Sequence, residues 1–311
     1  MTTYSSQTSE TGAPPRADAR GTLQALASLV SLVRMHHWIK NVFVMAPLFF
    51  SPGVMSGANA LKVCAGALCF CAVASCVYVV NDIADRASDR SHPKKRRRPL
   101  AAGTVTVFEA WLLTALLATS GLAAAVALSP PFATVLAIYL VLNLGYSFGL
   151  KHVSILDIFI VAAGFVLRVD AGARLIAVEP SVWIILCTGF LALFLTIGKR
   201  RDDLVKDVGD GHRPSLKGYT KQYLDIAATM VLGALLVSYA IYTTDAGVIA
   251  RLGSDRLYLT VPFVLAGILR YLQIILVEER SGSPTRIVVS DRFMILTIVG
   301  WIATVAVLIY R

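Results

Sequence analysis

The chain has 311 residues, of which 56% are hydrophobic and 15% are charged, and its formal net charge is +10. A soluble domain usually has about 25% charged residues, so this composition excludes an ordinary soluble protein and indicates an integral membrane protein. The cations flank apolar segments, which makes an orienting role at a membrane a simpler explanation of the net charge than nucleic-acid binding.

The elements follow from the apolar runs. Residues 1–21 are rich in Ser, Thr, Pro and Gly and predict a disordered tail, which leaves 22–311 as a single membrane domain. Residues 22–36 predict an amphipathic surface segment. Because a helix needs roughly 20 apolar residues to cross a bilayer, the remainder predicts an all-α bundle of about nine transmembrane helices. Their approximate bounds are 38–55, 60–80, 104–127, 132–150, 153–177, 181–198, 224–245, 257–277 and 292–310.

The cations lie mainly in alternate loops. One side of the membrane receives Arg16, Arg20, Arg34, the run from Arg86 to Arg98, Lys151, the run from Lys199 to Lys221, Arg280, Arg286 and Arg292. The other side receives Arg251, Arg256 and Arg311. The positive-inside rule makes the N-terminus and the first group of loops cytoplasmic, and an odd number of spans puts the C-terminus outside. Polar chemistry is therefore expected at the cytoplasmic face.

The second predicted span ends in the stretch "NDIADRASD". If the helix continues, Asn81, Asp85 and Asp89 are spaced i, i+4 and i+8 and form one stripe, with Asp82 beside it. Like charges at this spacing repel each other unless a cation neutralises them, and carboxylate and amide oxygens suit Mg²⁺. The alternative is a solvated acidic turn that the following cations neutralise.

A block of five cations, residues 94–98, follows this motif. Arg98, and less strongly Arg97, are candidate phosphate ligands, because a guanidinium can bind two phosphate oxygens at once. Anchoring to anionic lipid headgroups is the alternative, and both roles are compatible.

The second loop, "YSFGLKHVSILD", contains Tyr146, Lys151 and Asp157. A Tyr and a Lys at a membrane boundary usually anchor the helix ends. A carboxylate within a span is costly, which makes Asp157 a stronger candidate for the site. Arg168 and Asp170, deeper in the same span, pair with each other or with Arg174, or they line a cavity.

The third loop repeats the pattern with Lys199, Arg200, Asp202, Asp203 and Asp207. A second carboxylate site that faces the first predicts a clamp for a diphosphate, made of two metals or of one metal and the cations. The alternative is a solvated loop.

Lys40 and Asn41, in "RMHHWIKNVFVMAPLFF", begin the first span at the same cytoplasmic level. A lysine at that depth can meet a phosphate.

Together these stretches resemble the UbiA prenyltransferase superfamily, whose motif N-D-x-x-D-x-x-x-D matches "NDIADRASD". "DRSHPKKRRRPLAAG", "YSFGLKHVSILDIFIVAAGFVLRVDAG", "GKRRDDL" and "RYLQIILVEERSGSPTRIVVSDR" resemble the decaprenyl-phosphate phosphoribosyltransferase branch. The resemblance covers about residues 30–300. It implies about nine helices around a cytoplasm-facing cavity.

The resemblance also implies roles for the candidate residues. Asn81 and Asp85 would hold Mg²⁺ on a pyrophosphate, with Asp82 and Asp89 in support. Phosphate contacts are implied for Lys40, Arg98, Tyr146, Lys151, Lys199 and Arg200. Two departures from the family pattern are Met35, where a proline is usual, and Asp203, where a longer Glu is usual.

Combining residues and resemblance, the sequence predicts three sets of site residues. The predicted metal ligands are Asn81, Asp85 and Asp89. The predicted catalytic carboxylates are Asp82, Asp85, Asp89 and Asp203. The predicted substrate-binding residues are Lys40, Asn41, Arg97, Arg98, Tyr146, Lys151, Asp157, Arg168, Lys199 and Arg200.

The implied reaction is Mg²⁺-dependent transfer of 5-phosphoribosyl from phosphoribosyl pyrophosphate to a polyprenyl phosphate in the bacterial cytoplasmic membrane. In relatives the product supplies arabinose donors for the cell envelope. No nucleic-acid partner is expected. A UbiA-type transfer of a prenyl group to an aromatic acceptor is the alternative enzyme. A transporter, which would place its polar residues near the midplane, fits the one-sided charges poorly.

Overall fold

The computed structural model describes residues 27–206, 214–278, 287–288 and 290–310. Within these ranges the regular elements are helices and no strand occurs, which confirms the all-α fold class. The tail predicted at 1–21 lies outside the described residues. Eight long helices, labelled α1 to α8, are Gly57–Ala84, Val107–Leu128, Pro130–Phe148, Leu156–Leu175, Val182–Lys206, Lys221–Thr244, Val261–Leu276 and Arg292–Tyr310.

Seven helical segments of the described chain are long and apolar enough to cross a membrane. They coincide with all of the long helices except α4, and the segment of α7 includes a preceding 3-10 turn, Leu257–Thr260. α4 has 20 residues, so its length suffices, but it carries two Asp and two Arg residues. The count of nine spans stays a prediction.

The first predicted span has an unexpected conformation. It consists of a 3-10 helix of 11 residues, Met35–Met45, and a short α-helix of 4 residues, Ala46–Phe49. At rises of about 2.0 and 1.5 Å per residue these extend roughly 28 Å, close to the ~30 Å thickness of the hydrocarbon core. The residues from Met35 to Met45 are called the 3-10 segment below.

Local sequence explains where several helices begin. Ser56 caps α1 by accepting a hydrogen bond from the backbone of Asn59. Thr106 and Glu109 form a reciprocal capping box at the start of α2. Such caps satisfy backbone N–H groups that have no partner within the helix, and thus fix the start of a helix beside an apolar run.

Buried apolar residues of the described chain form four clusters, of which the two largest lie between the long helices. α1, α3 and α4 bury Phe70, Leu136 and Leu175 in the first of these two. α5 and α6 bury Phe194 and Leu224 in the second. α4 packs against both α3 and α5 and therefore joins the two halves of the bundle.

Four junctions, α1–α2, α3–α4, α5–α6 and α7–α8, lie at one end of the bundle, which is called the site face below. Direct contacts join neighbouring junctions there. The contacts are Lys151 to Asp85, Ser154 Oγ to the Ser215 carbonyl at 2.7 Å, and Arg201 Nη1 to the Ile275 carbonyl at 2.8 Å. The polar loops predicted to share one side of the membrane therefore meet.

Candidate active site

The N-D-x-x-D motif lies where α1 ends. α1 stops at Ala84, Asp85 leaves the helical conformation with ψ near 0°, and a separate short helix, Arg86–Ser91, follows. The condition of one continuous helix through Asp89, on which the predicted stripe depends, is therefore not met. The break turns Asp89 away from the stripe that Asn81 and Asp85 form.

Asn81 and Asp85 form an oxygen-lined corner around the ammonium of Lys151. Asn81 Nδ2 donates to Asp85 Oδ2 at 3.0 Å. Lys151 Nζ donates to Asn81 Oδ1 at 3.2 Å and forms an ion pair with Asp85 Oδ1. The Lys151 side chain is 6% exposed, whereas that of Asp85 is 27% exposed. Two hard oxygens of different side chains thus converge on one positive charge, beside a carboxylate that solvent reaches.

Asp82 and Asp89 are brought together by Arg98. Arg98 Nη1 lies 3.0 Å from Asp82 Oδ1 and 2.7 Å from Asp89 Oδ2, and both carboxylates are buried. Arg34 Nη2 donates to Asp82 at 2.6 Å. The structure thus separates Asp89 from Asn81 and Asp85, and the predicted metal set of three is not brought together. Arg34 is a site residue that the sequence did not single out.

Arg98 is positioned to bind an anion. Its side chain is 27% exposed, and Nη1 makes both of its ion pairs. Nε and Nη2 have no hydrogen-bond partner among the described residues. Asp82 and Asp89 therefore hold one edge of the guanidinium and leave the other edge for a ligand, which agrees with the predicted phosphate contact.

Asp157 and Arg200, both predicted to bind substrate, instead form a buried ion pair. Arg200 Nε donates to Asp157 Oδ2 at 2.6 Å, and the side chains are 2% and 0% exposed. Ser215 and Tyr219 donate to the same carboxylate at 3.1 and 2.7 Å. Burial raises the pKa of Tyr219 well above its ordinary value, so the phenol remains a donor. The contacts of the Asp157 carboxylate are with these neighbouring side chains, and its burial favours a structural role over the predicted substrate contact.

The outer edge of this pair is less enclosed. Arg200 Nη1 donates to Asp203 at 3.2 Å and Nη2 donates to the hydroxyl of Tyr146 at 3.4 Å. The Asp203 side chain is 35% exposed, so this carboxylate faces the open part of the site face. Asp207, the predicted partner of Asp203, lies outside the described residues.

Asn41 and Arg168 also differ from the prediction. Arg168 is 4% exposed and donates to Asn41 Oδ1 at 2.8 Å, and Asn41 is 2% exposed. Neither side chain is open to a ligand, which corrects their assignment as substrate-binding residues. Of the pairings that the sequence left open, the structure shows that of Asp170 with Arg174, at 3.3 Å, and Arg168 takes part in neither.

Three other predicted cations have different surroundings. Lys40 makes no hydrogen bond or ion pair with any residue of the described ranges, and it lies within electrostatic range of Arg168 and, more weakly, of Arg34. Lys199 lies within electrostatic range of His37, on the same 3-10 segment as Lys40. Arg97 is exposed and has no partner within the described chain, so the structure does not join it to the site.

The donor set at the corner fits a magnesium ion. Within the part of the chain that the structure describes, no three His, Cys, Asp or Glu side chains gather at one point. Mg²⁺ does not require such a cage, because it is usually bound by one or two carboxylates together with substrate phosphates and water. The amide oxygen of Asn81 and the exposed carboxylate of Asp85 meet that requirement, and the Lys151 ammonium already marks a cation position between them.

The fold and the site together define a membrane-embedded protein whose charged side chains gather at one face. Residues 41–298 match the UbiA prenyltransferase family, and the chain belongs to that family. The decaprenyl-phosphate phosphoribosyltransferase of Mycolicibacterium smegmatis is 34% identical, over 99% of this chain and 98% of that protein. The proteins of the same name from Corynebacterium glutamicum and Mycobacterium tuberculosis are 34% and 35% identical, over 96% and 90% of this chain and 89% and 93% of those proteins.

Solved structures agree on the fold. A UbiA homolog from Archaeoglobus fulgidus, bound to GPP and Mg²⁺, has a TM-score of 0.68 at 22% identity and covers 91% of this chain and 100% of its own. An apo UbiA homolog from Aeropyrum pernix has a TM-score of 0.60 at 19% identity, over 91% of this chain and 98% of that one. These similarities confirm the UbiA-like bundle that the sequence predicted.

Proposed function

We propose that this chain transfers 5-phosphoribosyl from phosphoribosyl pyrophosphate to a polyprenyl phosphate and releases pyrophosphate. The observation that carries the proposal is its 34–35% identity, over nearly the full length, to three relatives named decaprenyl-phosphate phosphoribosyltransferase. The cations of the site face support it, because both substrates are anionic.

Asn81 and Asp85 are the residues that would hold Mg²⁺. When bound, the ion neutralises negative charge on the diphosphate and makes it a better leaving group. Lys151 provides a positive charge at the same corner and forms an ion pair with Asp85. Asp89 has a different role in this proposal, since its contact is with Arg98.

Arg98 and Lys40 bind phosphate groups. Arg98 offers Nε and Nη2 while Asp82 and Asp89 fix its orientation. Lys40 offers an ammonium that no described residue neutralises. Fixed cations aimed at a departing diphosphate stabilise the charge that develops on it, and they do so without reorganisation during the reaction.

The acceptor requires little help from the protein. A polyprenyl phosphate is already anionic at neutral pH, so its oxygen attacks C1 of the ribose without a general base. As in glycosyl transfer generally, the sugar becomes oxocarbenium-like as the C1–oxygen bond to pyrophosphate breaks. The lipid tail remains in the bilayer while its phosphate meets the water-soluble donor at the site face.

The site face is the cytoplasmic face in this proposal, and the membrane is the bacterial cytoplasmic membrane. The positive-inside rule supports this orientation, because the junctions of the site face carry most of the loop cations. Residues 22–311 act as one unit, with polyprenyl chain length and oligomeric state unassigned.

A paired assay tests the proposal against its alternative. Purified protein is given labelled phosphoribosyl pyrophosphate with polyprenyl phosphate and Mg²⁺, or labelled prenyl diphosphate with an aromatic acid and Mg²⁺. We expect label to move to lipid in the first mixture and no transfer in the second. Transfer in the second mixture alone would establish the aromatic prenyltransferase instead.

A further inference from the structure

Arg168 is a buried cation without a carboxylate partner among the described residues. Its three hydrogen bonds go to neutral acceptors: Asn41 Oδ1 at 2.8 Å, the Gly164 carbonyl at 2.6 Å and the Tyr139 hydroxyl at 3.1 Å. The rings of Phe70, Tyr139 and Phe165 surround its guanidinium carbon at 5.0, 4.9 and 5.3 Å. An ionisable group inside a membrane protein is costly and usually functional, yet this enclosure keeps a phosphate from reaching Arg168.

Asn41, which accepts from Arg168, lies in the middle of the 3-10 segment. Runs of 3-10 helix longer than three or four residues are uncommon, and residues i and i+3 share one face. Trp38, Asn41 and Val44 therefore form one row. A polar and steric ladder holds this row against α1 and α4. Trp38 Nε1 donates to Ser75 Oγ at 3.0 Å, and Asn41 Nδ2 donates to Cys71 Sγ at 3.0 Å. The Val44 carbonyl lies so close to Gly172 that a Cβ atom at that position would be 1.9 Å from the carbonyl oxygen.

The two elements that receive this row match its spacing. Cys71 and Ser75 are one α-helical turn apart on α1, and Arg168 and Gly172 are one turn apart on α4. A turn of α-helix rises about 5.4 Å and three residues of 3-10 helix rise about 6 Å, so the contacts repeat in step. Arg168 is the charged member of the ladder, and its bond to Asn41 fixes the rotation of the 3-10 segment about its axis.

Lys40 lies on a different row, with His37 and Phe43 three residues away on either side. His37 packs on Tyr78 with ring centroids 5.0 Å apart, and Phe43 meets Phe165 edge-on at 5.2 Å. The direction of Lys40 therefore depends on the rotation that Asn41 and its partners set.

We infer that Arg168 is a positioning residue that, through Asn41, holds Lys40 toward a substrate phosphate without touching the substrate itself. The inference rests on the proposed function for the identity of that substrate. It replaces the direct substrate contacts that the sequence predicted for Asn41 and Arg168.

The test is a double-mutant cycle between Arg168→Lys and Lys40→Met. Lysine keeps the charge at position 168 but cannot bond Asn41, Gly164 and Tyr139 together, so Lys40 loses its orientation. We expect Arg168→Lys to raise the KM of the phosphate substrate that Lys40 binds by about tenfold, a typical coupling between connected residues. In the Lys40→Met background the same substitution should change that KM by less than about twofold, because the group it positions is gone.

Arg174→Lys is the matched control, since Arg174 is on the same helix, half exposed and paired with Asp170. It should leave both KM values at the wild-type level. Size-exclusion profiles and thermal unfolding verify that each variant is folded. If Arg168→Lys fails this check, Asn41→Ala takes its place in the cycle, because it removes the same link from the other side.

An effect of Arg168→Lys that persists in full in the Lys40→Met background would overturn the inference, as would an unchanged KM in the single variant. These outcomes are distinct from failure of the proposed function, which appears as a wild-type protein without phosphoribosyl transfer. In that event the same cycle is measured by the affinity of each variant for inorganic pyrophosphate. Equal affinities of wild type and Arg168→Lys would then overturn the inference.

Discussion

The buried Asp157–Arg200 pair allows a sharp test of structural against substrate-binding roles. Asp157→Asn removes the negative charge while keeping the shape of the side chain. Arg200, whose side chain is 2% exposed, then keeps Asp203 as its one carboxylate partner among the described residues. The new amide also points N–H groups at donors, since Arg200, Ser215 and Tyr219 all donate to this carboxylate.

Removing one partner of a fully buried ion pair costs about 3–5 kcal/mol, because the remaining charge is buried without compensation. We therefore expect Asp157→Asn to lower the free energy of unfolding by about 3 kcal/mol, roughly a 100-fold change in the ratio of folded to unfolded protein. The measurement is reversible unfolding in mixed micelles, followed by the helical circular dichroism signal. In molecules that remain folded, the KM values should stay near those of the wild type.

Asp170→Asn is the matched control. Asp170 pairs with Arg174 at 3.3 Å, and the side chain of Arg174, the charge that would be left behind, is 51% exposed. Water screens and partly replaces such a contact, so the expected loss is about 1 kcal/mol or less. The structural role of Asp157 is refuted if Asp157→Asn is no more destabilising than this control and instead raises a substrate KM.

Asp85→Ala should abolish turnover in the labelled-donor assay, because it removes the exposed carboxylate of the corner, while the protein still inserts and elutes normally. Substantial residual turnover would exclude Asp85 from the metal site. Arg98→Lys should raise the donor KM by about tenfold or more, because one lysine ammonium cannot bind two carboxylates and a phosphate at once. An unchanged KM would contradict the proposed contact between Arg98 and a phosphate. Hydrogen bonds from Arg270 hold the pKa of Asp291 at about 2, below its usual 3.8. The stability that Asp291 adds, measured against Asp291→Asn, should therefore be constant above about pH 4 and lost as the pH falls toward 2; loss already at pH 5 would refute it.

The sequence was sufficient for the helical bundle and for the junctions that meet at the site face. Long apolar runs predict membrane helices because the bilayer imposes their length, and loop cations indicate which junctions share a face. The 3-10 conformation of residues 35–45 was not predictable in this way, because an apolar pattern does not distinguish three residues per turn from 3.6. The break after Ala84 was also missed, since neither Gly nor Pro marks it.

The sequence also could not predict which side chains from distant loops pair with each other. Local spacing suggested that Asp85 and Asp89 share one partner, whereas tertiary packing gives Lys151 to Asp85 and Arg98 to Asp89. Arg34, Ser215 and Tyr219 reach their carboxylates only in the folded chain, so no local signal assigned them to the site. The cost of an intramembrane charge singled out Asp157, but it could not reveal that its partners in the folded chain are Arg200, Ser215 and Tyr219.

Metal binding at the corner is the central claim, and Mn²⁺ tests it directly as a paramagnetic substitute for Mg²⁺. Electron paramagnetic resonance is used to measure Mn²⁺ bound to metal-stripped protein with and without pyrophosphate, for wild type, Asp85→Asn and Asp89→Asn. We expect pyrophosphate to promote Mn²⁺ binding in the wild type and in Asp89→Asn, and Asp85→Asn to lose this binding. If Asp85→Asn instead retains pyrophosphate-promoted Mn²⁺ binding and Asp89→Asn loses it, the result would contradict the assignment of the metal to Asn81 and Asp85.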